Sequence, residues 1–175
     1  MKQLVKRAMK RDTEAFMTLI ELNTQSMYKV AWSILRNDQD AADAIQDTIL
    51  ACFEKIHTLR ESSYFKTWMT RILINNCYSI INNRKRECSM DDFPELPATE
   101  SQESYFEFMD LLNCIDEKYR LIIVLYYVNG FKISEISKLV NLNENTVKTR
   151  LARGRKCLKK EYKINSTQIK EVHVV

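Results

Sequence analysis

Residues 130–160 read GFKISEISKLVNLNENTVKTRLARGRKCLKK. Val147, Leu151, Gly154 and Leu158 recur at i, i+4, i+7 and i+11. That spacing is one stripe of a helix with about 3.6 residues per turn. Asn143 precedes the stripe and suits an N-cap, because its side-chain oxygen can accept a backbone N–H of the first turn. Lys148, Thr149, Ala152, Arg153, Lys156, Lys159 and Lys160 fall on or beside the opposite face. One face therefore packs and the other is a cationic strip. Such a run is often only a solvated face, so the residues before it decide its meaning.

Upstream, Gly130 can end a helix in the left-handed conformation. Ile133, Ile136, Leu139 and Val140 mark a short inward face, and Leu142–Asn145 form a tight polar turn. Lys132 stands where Ser or Thr would complete a capping box with Glu135, so the short helix lacks a good cap. The unit is helix, turn, basic helix: a helix-turn-helix, whose second helix enters the major groove. Glu144, Asn145, Lys148, Thr149, Ala152 and Arg153 occupy its reading positions. Lys and Arg can donate to guanine O6 and N7, and Thr or Ala can touch the thymine methyl. Arg150, Arg155, Lys156 and Lys159 are better placed for phosphates, which fix register without reading sequence.

The whole chain of 175 residues has room for one ordinary domain or two small ones. Two Gly, two Pro and no alternating apolar runs predict an all-α fold. No apolar stretch approaches the roughly 20 residues that span a bilayer, and the N-terminal residues carry charge without an apolar core, so a cytoplasmic protein is expected. Five cysteines (Cys52, Cys77, Cys88, Cys114 and Cys157) form no CxxC, and the only histidines are His57 and His173. No metal site or cofactor is expected from this set. Net charge is +5 over 1–86, −10 over 87–117 and +9 over 118–175. Two basic blocks flanking an acidic one suggest two surfaces for a polyanion and a segment between them that avoids it.

The pattern divides the chain into a helical domain over 1–86, a linker over 87–103, a second helical domain over 104–162, and a tail over 163–175. In the first domain, Asp12 caps a helix carrying Phe16, Leu19, Ile20 and Leu22, and Asn37-Asp38 breaks it near Arg36. A helix from about Asp40 to His57 puts Ala41, Ile45, Ile49, Cys52, Phe53 and Ile56 inward. LRESSY (59–64) is a loop, and Phe65–Arg86 is another helix. The linker holds both prolines and many acids. SYFEFMDLLNCI and EKYRLIIVLYYVN supply the helices before the helix-turn-helix.

Two stretches of the first domain carry more than core. Asp40, Asp43, Asp47 and Glu54, with Gln46 beside them, are expected on an outward face, with no Lys or Arg between residues 37 and 54 to offset them. The acids at the start also suit a helix N-terminus. The other reading is a docking face for a basic partner. Residues 61–86, ESSYFKTWMTRILINNCYSIINNRKR, interleave Lys66, Arg71, Arg84, Lys85 and Arg86 with Tyr64, Phe65, Trp68 and Tyr78. Aromatics beside cations are how single-stranded nucleic acid is held, although Phe65 and Trp68 at helical spacing also suit a core.

These residues resemble a known family. DAADAIQDTILACFEKI (40–56) is similar to the polymerase-binding helix of bacterial sigma factors. SSYFKTWMTRILINN (62–76) resembles their promoter-melting, −10-reading segment, and 117–158 their −35-reading domain. The order and short linker resemble the extracytoplasmic-function class. The resemblance implies a transcription initiation factor, not an enzyme, that acts through core RNA polymerase. Asp40, Asp43, Gln46, Asp47 and Glu54 would dock on the β′ clamp helices, with the β subunit also in contact. Ser63, Phe65, Lys66, Thr67, Trp68, Arg71 and Asn75 would engage single-stranded −10 DNA, Asn75 at a flipped-out base. Asn145, Lys148, Thr149, Arg150, Ala152, Arg153 and Lys156 would hold double-stranded −35 DNA. It also implies an anti-sigma factor, often membrane-bound, and no small-molecule substrate. Ser79 stands where an acidic residue or Asn is common. Read without the resemblance, the residues leave open a stand-alone helix-turn-helix regulator; a nucleic-acid-processing enzyme is a weak reading, because the sequence offers no phosphate-cradling Gly-rich loop, no metal-ligand cluster and no His-based triad.

Overall fold

The computed structural model describes residues 1–87, 112–113 and 115–171, with the backbone alone at 87 and beyond 160. Among these residues the secondary structure is helical, without strands. The chain forms two compact units, Met1–Glu95 and Leu96–Val175. The linker over 87–103, Cys88, Cys114 and most of SYFEFMDLLNCI lie outside the described residues.

The first unit holds α1 (Lys2–Met9), α2 (Thr13–Leu35), α3 (Asp38–Lys55) and α4 (Phe65–Glu87). Short 3-10 turns at Ile56–Thr58 and Ser62–Tyr64 join α3 to α4. Asp12 caps α2 by accepting from the Ala15 N–H at 3.0 Å. α2 ends where Arg36 turns left-handed, φ 55°, with its guanidinium 4.8 Å over the Trp32 ring. Asn37 is both the break and the next cap: its side chain accepts from the Asp40 N–H at 2.9 Å. α3 consequently starts two residues before Asp40. Leu19, Met27, Val30, Met69 and Leu73 are fully buried at the centre. Burying each such side chain contributes about 1.5–3 kcal/mol, against about 1 kcal/mol for a cap. The apolar faces therefore hold the bundle together, and the caps set where helices begin.

Two apolar residues lie outward, Phe53 against expectation, and a third is intermediate. Leu22 and Phe53 are more than half exposed, and Ile49 is only partly covered. Helices α2 and α3 bury narrower stripes than their apolar residues suggest. Phe53 keeps one edge against Phe16, with ring centroids 5.2 Å apart.

The second unit contains α5 (Glu117–Tyr127), α6 (Ile133–Val140) and α7 (Glu144–Glu171). Arg120 is buried and ties the incoming chain, donating from Nε to the Leu112 carbonyl at 3.0 Å and from Nη2 to the Ile115 carbonyl at 2.9 Å. Gly130 has φ 68°, the left-handed turn expected of it. Asn141, at φ 52°, makes the turn between α6 and α7, while the Leu142 N–H bonds the Ser137 carbonyl at 3.1 Å. The cap missing from α6 is half replaced: Glu135 accepts from the Lys132 N–H at 2.8 Å. Asn143 caps α7 by accepting from the Thr146 N–H at 2.8 Å. α7 runs past residue 162 to Glu171, into the expected tail over 163–175.

The stripe of α7 packs as its spacing requires. Val147, Leu151 and Gly154 are buried, and Leu158 is partly covered. Gly154 has a steric reason. A Cβ there would lie 2.8 Å from Ile123 Cγ1 and 2.9 Å from Ile123 Cδ1 on α5. Ala gains about 1 kcal/mol over Gly in helix propensity, but overpacking costs about 1–3 kcal/mol. Cγ1 is near the backbone and yields less readily than the side-chain tip. Gly154→Ala should therefore lower unfolding free energy in urea by about 1 kcal/mol; a stabilised variant would show that α5 and α7 do not approach this closely.

Candidate nucleic-acid interface

The cationic strip of α7 is open to solvent. Asn145, Lys148, Thr149, Ala152, Arg153 and Lys156 are exposed, and Arg150 is half-buried. Asn143 caps α7, and Glu144 and Asn145 of its first turn are exposed, where the helix dipole adds partial positive charge. Lys118 and Tyr119 of α5 join Asn143, Asn145, Thr146, Thr149, Arg150 and Arg153 around an open depression of about 670 Å³. Arg150 Nη1 lies 3.5 Å from the Lys118 carbonyl, and Arg153 Nη1 lies 3.5 Å from the Tyr119 hydroxyl. Both distances are at the long limit of a hydrogen bond, so each guanidinium is steered without being spent. Lys118 is itself held, 2.7 Å from Asp116 and with its ammonium 5.1 Å from the centre of the Tyr119 ring. The Lys118 pKa is raised by its hydrogen bond to Asp116, and that of Asp116 is lowered by the same bond. Sequence reasoning missed Lys118 and Tyr119, because only the α5–α7 packing brings them beside the strip.

Helix α4 offers a different surface. Arg71, Asn75, Tyr78, Ser79 and Asn82 are exposed along one side, and Trp68 is half-buried at its start. Ser63 is exposed, while Lys66 and Thr67 are half-buried. Phe65 departs from its expected role: it is 2% exposed, its ring 6.2 Å from that of Trp68. It is a core residue that supports Trp68, and a base could stack on it only after it left the core. Asn76, next to Asn75, points into the bundle and donates from Nδ2 to Thr48 Oγ1 at 3.0 Å.

On α3, Asp43, Gln46, Asp47 and Glu54 are exposed as expected. Leu50 and Phe53 share that face, 56% and 53% exposed. It is an acidic rim around an apolar ridge. The i+7 step from Asp43 to Leu50 could have revealed the ridge in the sequence. Asp40 does not belong to this face. It is buried, and its Oδ1 accepts from Arg84 Nη2 at 2.6 Å. Its other oxygen is buried without a hydrogen-bond partner. No Lys or Arg within α3 up to residue 54 offsets its acids, but Arg84 reaches Asp40 across from α4. Cys52 and Cys77 are buried thiols whose pKa values are pushed up to about 12 by desolvation, which leaves them unreactive. Among the described residues no cluster of His, Cys, Asp or Glu could hold a metal, and no helix is long and apolar enough to cross a membrane.

Residues 19–87 match the family described as Sigma-70 region 2, and residues 105–158 match Sigma-70, region 4. The RNA polymerase sigma factor SigV of Bacillus subtilis (strain 168) is 30% identical over 154 residues, covering 86% of this chain and 93% of its own. The ECF RNA polymerase sigma factor SigW of the same organism is 27% identical over 180 residues, covering 91% and 95%. In fold, the chain is similar to a sigma factor, RpoE of Bartonella quintana, solved with the anti-sigma factor NepR: TM-score 0.68, 24% identity, 85% of this chain and 97% of that one. It is also similar to CnrH, solved with the cytosolic domain of CnrY, at TM-score 0.67 and 20% identity, covering 93% and 97%. The chain belongs to the sigma-70 family of transcription initiation factors, in its extracytoplasmic-function class. It serves RNA polymerase at promoters and is not an enzyme. The stand-alone regulator is set aside, since region 2 has no place in that reading.

Two outcomes test this geometry. Burial pushes the pKa of Asp40 above the ordinary 3.8, Arg84 pulls it down without cancelling that, and Asp43 adds a smaller push upward. The folded chain therefore takes up this proton more readily than the unfolded chain, so ionised Asp40 opposes folding at neutral pH. The opposition fades as pH falls below both values. The stability of Asp40→Asn relative to the parent should accordingly be greater at about pH 7 than at about pH 3.5 in paired urea titrations; a difference independent of pH would contradict the raised pKa. In the polymerase-bound chain, Arg153→Ala should weaken a −35 duplex about 10-fold while sparing a scrambled one, and Lys156→Ala should weaken both alike. Equal loss on both duplexes would make Arg153 a phosphate contact.

Proposed function

We propose that the three exposed surfaces divide the work of promoter opening. The α3 face of Asp43, Gln46, Asp47 and Glu54, with Leu50 and Phe53 at its centre, docks on the β′ clamp helices of core polymerase. The α4 face of Trp68, Arg71 and Asn75, entered past Ser63, Lys66 and Thr67, engages the −10 strand as it separates. The α7 strip of Asn145, Lys148, Thr149, Arg150, Ala152, Arg153 and Lys156 holds the −35 duplex, with Lys118 at its edge. The observation that carries this reading is the α3 face: acids and large apolar residues are exposed together on a helix whose other side is core. An apolar ridge inside a charged rim is the composition of a protein interface.

A cytosolic site of action accompanies this reading. The RpoE structure solved with the anti-sigma factor NepR supports an anti-sigma factor for this chain too; in this reading that factor is membrane-bound and holds the protein near the inner face of the membrane until a signal arrives. Asp43→Lys with Asp47→Lys should reduce co-elution with core RNA polymerase at least 10-fold, because a central charge reversal at a desolvated interface costs several kcal/mol. Far-UV circular dichroism should stay unchanged. Undiminished co-elution would remove α3 as the docking helix.

A further inference from the structure

We infer that two polar ties, Asp40–Arg84 and Thr48–Asn76, set the register of α3 against α4 and make Arg84 and Asn76 positioning residues for promoter opening. The inference rests on the docking and reading roles proposed for these helices. Arg84 Nη2 donates to Asp40 Oδ1 at 2.6 Å, and Asn76 Nδ2 donates to Thr48 Oγ1 at 3.0 Å. The ties are eight residues apart on both helices, about 12 Å along each axis. They therefore belong to a single antiparallel register. Asp40, Ala44 and Thr48 form one i, i+4 row on α3, and Arg84, Ile80 and Asn76 form the matching row on α4.

Between the ties, the α3 row offers only Ala44, fully buried. A small side chain lets helices approach closely but does little to oppose sliding along the axis. Polar pairs do oppose it, because a slip leaves their buried atoms unpartnered. The Asp40–Arg84 pair is poorly suited to stabilising the bundle, since one carboxylate oxygen is buried without a partner. Asp40 is buried while the Arg84 side chain is 54% exposed, so the pair adds little stability and its use lies in holding register. The row also joins the two working faces. Thr48 follows Asp47 of the docking face, and Asn76 follows Asn75 of the reading face. A slip in the row therefore moves the reading face relative to polymerase. Displacement of a reacting group by about 1 Å can cost two orders of magnitude in rate.

The test uses the full chain assembled with core RNA polymerase on a promoter that the parent chain opens. Polymerase affinity, permanganate reactivity of −10 thymines over time, and the urea midpoint are measured together. Asn76→Ala with Arg84→Ala should keep polymerase affinity within about 3-fold and slow opening at least about 10-fold, and Arg84→Lys should restore most of the single-site loss at Arg84→Ala. Opening at the parent rate overturns the inference. So does a fall in opening and affinity by one common factor, since the ties would then only stabilise the bundle. If the double variant does not fold, Thr48→Val carries the test, because it keeps the shape and removes the acceptor. It should slow opening roughly 3-fold at unchanged affinity, and parent-rate opening overturns the inference. A parent chain that neither binds polymerase nor opens DNA overturns the proposed function itself, a separate result.

Discussion

The packing of α3 on α4 is the constraint on which the N-terminal unit depends. Each helix has one side in the bundle and one side exposed, so the line of contact between them also relates the faces proposed for docking and for reading. Ala41, Ala44 and Cys52 on α3 are entirely buried, as are Leu73 and Cys77 on α4 to within about one percent. Small buried residues on α3 allow close approach, and larger ones on α4 supply the dispersion contacts that hold it. Leu50 and Phe53 then have no room inward. Their exposure follows from the narrow buried stripe, and it leaves α3 with an apolar ridge that water alone covers poorly. The Phe16–Phe53 edge contact holds that ridge in place without burying it.

The C-terminal unit solves a related problem with fewer residues. α7 must lie close to α5, keep its cations outward and begin at a sharp angle to α6. Gly154 permits the close approach, and the left-handed Asn141 with the Leu142-to-Ser137 hydrogen bond sets the angle. Each of these acts on backbone geometry, where a substitution has few ways to relax. The cations need no such precision individually, since phosphate contacts tolerate flexible side chains. Arg150 and Arg153 are the exceptions, steered toward α5 by the Lys118 carbonyl and the Tyr119 hydroxyl. A steered guanidinium loses less side-chain entropy on binding than a free one.

What the sequence made legible is what periodicity carries. The α7 stripe, its Asn143 cap, the Gly130 turn and the exposure of Asp43 and Asp47 all follow from spacing within one helix, and the structure places them so. What escaped depends on partners far along the chain. Asp40 looks like its neighbours Asp43 and Asp47 until Arg84, 44 residues away, is brought beside it. Lys118 meets Arg150 across 32 residues. Phe65 and Trp68 differ in burial although both are aromatic and three apart, because one faces the bundle and the other its rim. Phe53 is apolar and borders an apolar stripe, yet it lies outside that stripe and is 53% exposed. The helical period has room for both faces, and only the neighbouring helix decides between them.

If α4 and α7 bear the proposed DNA surfaces, charge segregation explains why two modest ones suffice. Phosphate contacts give affinity that falls steeply with salt, so neither the α4 nor the α7 surface alone need hold DNA in the cell. Unstacking bases costs a few kcal/mol each, and capture of a flipped base recovers only part of it. The balance changes when the −35 duplex is already held, because the second contact then forms at high effective concentration. That gain exists only if geometry lets both surfaces engage. The intervening residues 87–117 carry net charge −10 and contain no Lys or Arg, so they are repelled by the DNA that both basic blocks attract. A connector of like charge to the ligand cannot compete for either surface. On the proposed division of roles, the spacing between surfaces comes from the polymerase, and the acidic, apolar-centred face of α3 is the element that would turn two weak contacts into one specific one.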